Sequence, residues 1–162
     1  MKTQLINQYH EVYLSGTWVA NTNLRRELLD TRWEEAKVCL HNANSIEALA
    51  FHLNYYIEGV GQVLDGGSLD IKDKFSFDLI PAQSVLEWKE TRARYINNLE
   101  QFAIKLDNMP VEKLTTGFVQ SEYGTYHRNI QVIIEHGYYH LGQIVLLKKM
   151  IRGFGSSKKK LK

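Results

Sequence analysis

Apolar residues recur at steps of three and four over most of the chain, the spacing that lines one face of an α-helix. Leu5, Ile6, Tyr9, Val12, Tyr13, Gly16, Val19, Ala20, Leu24 and Leu28 form the first stripe and predict one long helix, with Ser15-Gly16 as its weak point. Thr31-Arg32-Trp33-Glu34 then has the form of a capping box, in which a hydroxyl and a carboxylate satisfy free amides at a helix start, and predicts a short turn. Asn44 to Glu47 repeats that logic, and Ile46, Leu49, Leu53, Tyr56, Ile57 and Val60 follow at helical spacing. A second helix is therefore expected from Ser45 to Leu64, ended by Gly66-Gly67.

A long, half-polar link leads to Pro81. Beyond it Val85, Leu86, Tyr95, Ile96, Leu99, Phe102, Ala103 and Leu106 mark a third helix, closed before Pro110. A fourth begins near Tyr126 and is apolar on almost every side through Leu147, the pattern of a helix buried all round. Four long helices with no alternating strand pattern predict an all-α four-helix bundle, and links of about fifteen residues admit crossover connections. One domain is expected over residues 1–152, with a basic flexible tail over 153–162. The fourth helix has more apolar surface than a bundle edge needs, so one face is expected to pack on a second copy, unless the long loops cover it.

Charge adds little to this picture. Of 20 basic residues against 18 acidic ones, three sit in the tail at Lys158, Lys159 and Lys160, which leaves a nearly neutral body. No stripe of Lys and Arg is present to neutralise phosphates, so nucleic acid is not an expected partner. The longest apolar runs, such as Ile144 to Leu147, fall far short of the roughly 20 residues that cross a bilayer, so no membrane is expected either. The first residues lack the apolar centre of a signal peptide and a lone cysteine cannot form an internal disulfide, which together make a cytoplasmic setting the expectation. Cys39 has no neighbour to activate its thiol and is expected to be buried packing.

The chemistry rests on histidine. His136 and His140 stand four apart, one turn apart on one helix face with Cβ atoms about 6 Å from each other, a spacing that can chelate one ion. Such a pair alone is more often two surface or hydrogen-bonded core histidines. These two lie in the most apolar segment of the chain, where unpaired imidazoles are costly unless hydrogen-bonded or bound to metal. His52 sits at the rim of the apolar stripe of the second helix, beside Tyr56, and can point inward to complete a set of three. His10, His41 and His127 do not fall in register with it. Tyr55, Tyr56, Tyr138 and Tyr139 are expected to pack rather than to act as acids.

Asn44-Ser45-Ile46-Glu47-Ala48-Leu49-Ala50-Phe51-His52 resembles the start of the second helix in the DinB/YfiT-like family. Glu135-His136-Gly137-Tyr138-Tyr139-His140-Leu141-Gly142-Gln143-Ile144 is similar to that family's His-x-x-x-His-x-Gly-Gln signature on the last helix. The order of four helices and the long second crossover fit as well, although only these two motifs are specific. The resemblance implies an up-down-down-up four-helix bundle, commonly a homodimer, whose motif histidines, here His52, His136 and His140, bind zinc, nickel or a similar divalent ion. Described activities of that family are diverse: thiol-dependent transfer and isomerisation with a low-molecular-weight thiol as co-substrate, and metal-dependent hydrolysis.

Three neutral imidazoles leave the charge of a divalent ion uncompensated and a coordination position open, the pattern of catalytic rather than structural zinc. An ion in such a site can lower the pKa of water to about 7 or deprotonate a thiol. No Glu adjoins a motif histidine in the His-Glu-x-x-His manner, and Glu135 lies about 100° around the helix from His136, so no general base for water is evident. That tilts the expectation toward thiol-dependent S-transferase-type chemistry on a small-molecule substrate. The alternatives are a hydrolase and a metal-stabilised binding or stress-response module without turnover. Gln143 and Asn129 share the histidine face and are candidates to support the ligands or touch substrate, though each is more often a simple core hydrogen-bonder.

Overall fold

The apolar stripe that begins at Leu5 is carried by two helices rather than one. In the computed structural model, which describes residues 2–159 and side chains through residue 153, α1 spans Lys2–Tyr13 and α2 spans Leu24–Leu29. The amides of Leu14, Ser15 and Gly16 converge on the His10 carbonyl and close α1. Gly16 then lies so close over Glu11 that any Cβ there would overlap its backbone. Asn23 ties the loop at both ends, donating from Nδ2 to the Gly16 carbonyl (3.0 Å) and accepting from the Arg26 amide (2.9 Å) as the N-cap of α2. Val19 and Ala20, which continue the helical spacing in the sequence, therefore sit in an exposed loop beside Trp18. Periodicity alone could not register the close approach at Gly16 that ends the helix.

The short α3, Trp33–Ala36, starts one residue later than its Thr31 signal implies. The Arg32 amide donates to Glu35 Oε2 (3.0 Å), while the Thr31 hydroxyl donates to the Glu27 carbonyl (2.7 Å). The next helix, α4, spans Ile46–Leu64, and its N-cap is Ser45, whose Oγ accepts from the Ala48 amide (3.1 Å). Glu47 does not close a capping box with Asn44. It is buried and accepts from the Ala82 amide (2.8 Å), tying the end of the long link to the start of α4. The third long helix is α5, Val85–Asn108, capped by Ser84, and the last is α6, Tyr126–Lys159. The described residues thus hold six helices, four of them long, and no strand.

Among the long helices, α1 packs on α5 and α6, and α4 packs on the same two. Tyr9 is fully buried, stacks on Tyr13 and Phe102 with ring centroids 4.6 and 5.0 Å away, and donates its hydroxyl to the Leu99 carbonyl (3.0 Å). Tyr13 donates to the Ile133 carbonyl (2.8 Å). That contact requires Gly137, where a Cβ would stand 2.6 Å from the Tyr13 ring. At other corners Lys2 meets the Asp107 carbonyl, Asn98 bonds Asn54, and Lys105 bonds the Gly61 carbonyl.

Ile130, Ile133, Ile134, Leu141, Ile144 and Leu147 bury one side of α6, while Val132, Tyr139, Leu146 and Met150 are exposed on the other. No described helix is long and apolar enough to cross a membrane. Residues 153–159 continue α6. The side chains from residue 154 and the final three residues lie outside the described residues, and with them most of the expected basic tail.

The C-terminal half of α6 is held by ions. Lys148, only 4% exposed, reaches Glu27 Oε2 (2.6 Å) and Asp30 Oδ2 (2.8 Å), and Arg152 bridges Asp30 to the buried Glu35. Arg152 beside Glu35 holds that carboxyl down at about 2. Removing one member of a buried ion pair strands its partner. Lys148→Ala is therefore expected to lower unfolding free energy by about 3 kcal/mol in urea titrations.

Candidate metal centre

Two neighbouring turns of α6 and one of α4 place His136, His140 and His52 against one another. Their ligand nitrogens lie within 4.8 Å of each other, and no other group of three or more histidines, cysteines or carboxylates among the described residues could hold an ion in this way. Ring centroids are separated by 4.9 Å for His52 and His136, 4.8 Å for His52 and His140, and 4.5 Å for the pair on α6. The α6 separation follows from the four-residue spacing. His52 joins because α4 packs on α6 with its buried face toward them.

The hydrogen bonds decide which nitrogens are free. His52 Nδ1 lies 3.2 Å from the Ser76 carbonyl, which can only accept, so the proton sits on Nδ1 and the Nε2 lone pair turns toward the other histidines. His140 Nδ1 donates to Gln143 Oε1 at 2.6 Å, again leaving Nε2 free. Nε2 of His52 and Nε2 of His136 face each other at 3.0 Å. Two nitrogens sharing a tetrahedral ion at about 2.0–2.1 Å stand about 3.3 Å apart, so a few tenths of an ångström of movement would admit one. Ligating imidazoles usually give their second nitrogen's proton to a carbonyl, carboxylate or water, the role that Ser76 and Gln143 fill in kind. The donor set thus fits a divalent ion.

The link between α4 and α5, which carries no readable motif, completes the surroundings. Phe77 stacks on His52 with a centroid distance of 4.1 Å, and Tyr56 sets its ring edge against both His52 and His136, at 5.1 and 5.2 Å. The Tyr56 hydroxyl donates to Asp73 Oδ1 (2.9 Å), in a single 3₁₀ turn at Asp73–Phe75. Gly59 allows this link to lie on α4, because a Cβ at that position would collide with Ile71. Tyr139 covers His140 from the outside, centroid to centroid 4.8 Å. The tyrosines at 56 and 139 do pack, but against the histidines.

His136 opens onto a cavity of about 600 Å³ that Asp73, Glu135, Arg128 and Asn129 also line. Glu135 is thus nearer the histidines' surroundings than its helical angle implies, though it is spent on two hydrogen bonds from Arg128, both 3.0 Å. Asn129 donates to the Tyr123 and Thr125 carbonyls (2.8 and 2.9 Å), fastening the loop before α6. Gln143 holds His140, as described. Cys39 is exposed rather than buried, in the segment between α3 and α4 and outside the cavity lining.

Burial pushes all three imidazoles toward the neutral form. His136 falls to about 4, first from desolvation and then from the charges His140 and His52 would carry. His52 is lowered by burial and by His140, and His140 by burial. Below the unfolded value near 6.5 the unfolded chain takes up protons that the folded chain refuses, so stability falls as pH drops from 6.5 toward 4. In chelator-treated protein, urea midpoints are expected to decline over that window, and His136→Gln is expected to flatten the slope between pH 6.5 and 5. An unchanged slope would mean the imidazoles are not desolvated together.

No family model matches the chain, and no curated protein or solved structure matches it either, so the candidate centre stands on its own geometry: three converging imidazoles, one of which lines a cavity.

Proposed function

We propose that this chain is a metal-dependent enzyme of the DinB-like kind, with His52, His136 and His140 holding one divalent ion, zinc or nickel first, and with thiol-dependent S-transferase-type chemistry. The observation that carries the proposal is the convergence of three neutral imidazoles, two of them tautomer-fixed, beside a cavity large enough for a small molecule. An ion there would supply a Lewis acid able to draw the proton from a thiol near neutral pH. The chain's own residues do the rest. Ser76 and Gln143 orient two imidazoles, Phe77 and Tyr56 exclude water from one side, and the cavity receives the electrophile.

The helix pairings support the up-down-down-up arrangement. Residues 2 and 9 of α1 meet 107 and 99 of α5, so those two oppose. Asn54 and Gly61 of α4 meet Asn98 and Lys105, so α4 and α5 run alike. A homodimer through α6 is part of the same reading, supported by Val132, Tyr139 and Leu146, which repeat every seven residues on its exposed side. Hydrolysis is the second reading, favoured by the two carboxylates, Asp73 and Glu135, in the cavity lining, where one could serve water as a base.

Elemental analysis of untagged protein is expected to find about one ion per chain, and His140→Ala is expected to lose it. Metal removal should lower the melting temperature, since an ion at a hundredfold excess over Kd contributes about 2.7 kcal/mol to the folded state. On cobalt-substituted protein a low-molecular-weight thiol should shift the visible spectrum. Ester or amide turnover without thiol would select the hydrolase instead, and unchanged metal content in His140→Ala would sink both.

A further inference from the structure

The cavity beside His136 also describes its occupant. Val60, Leu69, Ile71, Phe118, Val132 and Ile133 give it an apolar wall, supplemented by tyrosine rings. Its charged side chains are one cation and two carboxylates, Arg128, Asp73 and Glu135, and each is already engaged. Arg128 receives Glu135 through two hydrogen bonds, and Asp73 accepts from Tyr56. An anionic group entering the cavity would therefore meet one guanidinium, paired through Nη1 with Glu135, against two carboxylates, a net negative lining that disfavours its binding. A cation would meet one carboxylate already paired with Arg128, and would be repelled by an ion on the histidines.

We infer that the substrate held here is an uncharged, mainly apolar molecule, its body against Val132 and Ile71 and its reactive end at His136. The inference rests on the proposed metal site for the direction in which the molecule lies and for the exclusion of cations, whereas its apolar character and the exclusion of anions rest on the cavity wall. It also separates the two reactants of a transfer: a charged thiol co-substrate would keep its charged parts outside this cavity, and the electrophile would be the apolar partner.

The probes are 3-phenylpropane-1-thiol and the same molecule carrying a para-carboxylate, titrated calorimetrically into zinc-loaded protein. The neutral thiol is expected to bind at least about tenfold more tightly. Two variants at exposed positions report on the wall without touching the histidines. Val132→Lys should weaken the neutral probe and strengthen the carboxylate. Glu135→Gln, by releasing Arg128, should strengthen the carboxylate alone. Equal affinities, or a preference for the carboxylate in the unmodified protein, would overturn the inference while leaving the metal site standing. If the protein takes up no metal, the site reading fails, and displacement of Nile red from the metal-free protein by 3-phenylpropan-1-ol against 3-phenylpropanoate decides the cavity separately. Displacement by the alcohol alone supports the inference, and equal displacement by both, or by neither, ends it.

Discussion

Three imidazoles held at mutual contact distance and largely buried cannot all take on a second proton, and their surroundings keep them neutral. Desolvation and mutual repulsion act in the same direction, and the His136 value of about 4 is their sum. Neutrality by itself would leave the Nε2 lone pair of His52 turned on Nε2 of His136, 3.0 Å away. The arrangement is relieved either by a shared proton or by a shared cation. The Ser76 carbonyl and Gln143 fix the outer nitrogens and so leave the inner ones as acceptors. A preformed acceptor cluster of this sort is what a divalent ion requires before it will shed its water.

The bundle sets the spacing that makes this cluster possible. Gly137 lets Tyr13 press against α6 on the side away from the histidines, and Gly59 lets the link after α4 press down on the side near them. The first close approach sets how deeply α1 seats on α6, and the second how closely the link lies on α4. Farther along α6, the Lys148 and Arg152 ion pairs hold the helix to α2 and α3. The helix that carries two of the three histidines is thus restrained along much of its length.

The helices and histidines were legible because helical periodicity encodes them directly. Ser45 and Pro110 mark real boundaries, and the four-residue step from His136 to His140 has one geometric meaning on a helix. His52 could be matched to the pair by its place at the rim of an apolar stripe. Ser15-Gly16 was legible as a weak point, but the loop that follows it was not, because Val19 and Ala20 keep the helical rhythm through a segment that Gly16 and Asn23 close by tertiary contact. The one-residue shift at α3 and the diversion of Glu47 to Ala82 have the same origin: a side chain with a distant partner abandons its local one. Least legible was the link from Asp65 to Ser84. It has no period and no motif, yet it supplies Asp73, Ser76 and Phe77, and only the folded chain brings them to His52.

That link gives the protein a division of labour. The atoms suited to gripping an ion come from helix interiors, where one inserted residue would rotate everything beyond it by about 100° and scatter the set. Much of the neighbouring wall, by contrast, comes from a connecting segment with no such register to keep. Leu69, Ile71 and Asp73 line the cavity without belonging to the histidine set, whereas Ser76 and Phe77 of the same segment are tied to His52. Changes at those three lining positions would reshape what the cavity admits while leaving the histidine cluster itself untouched.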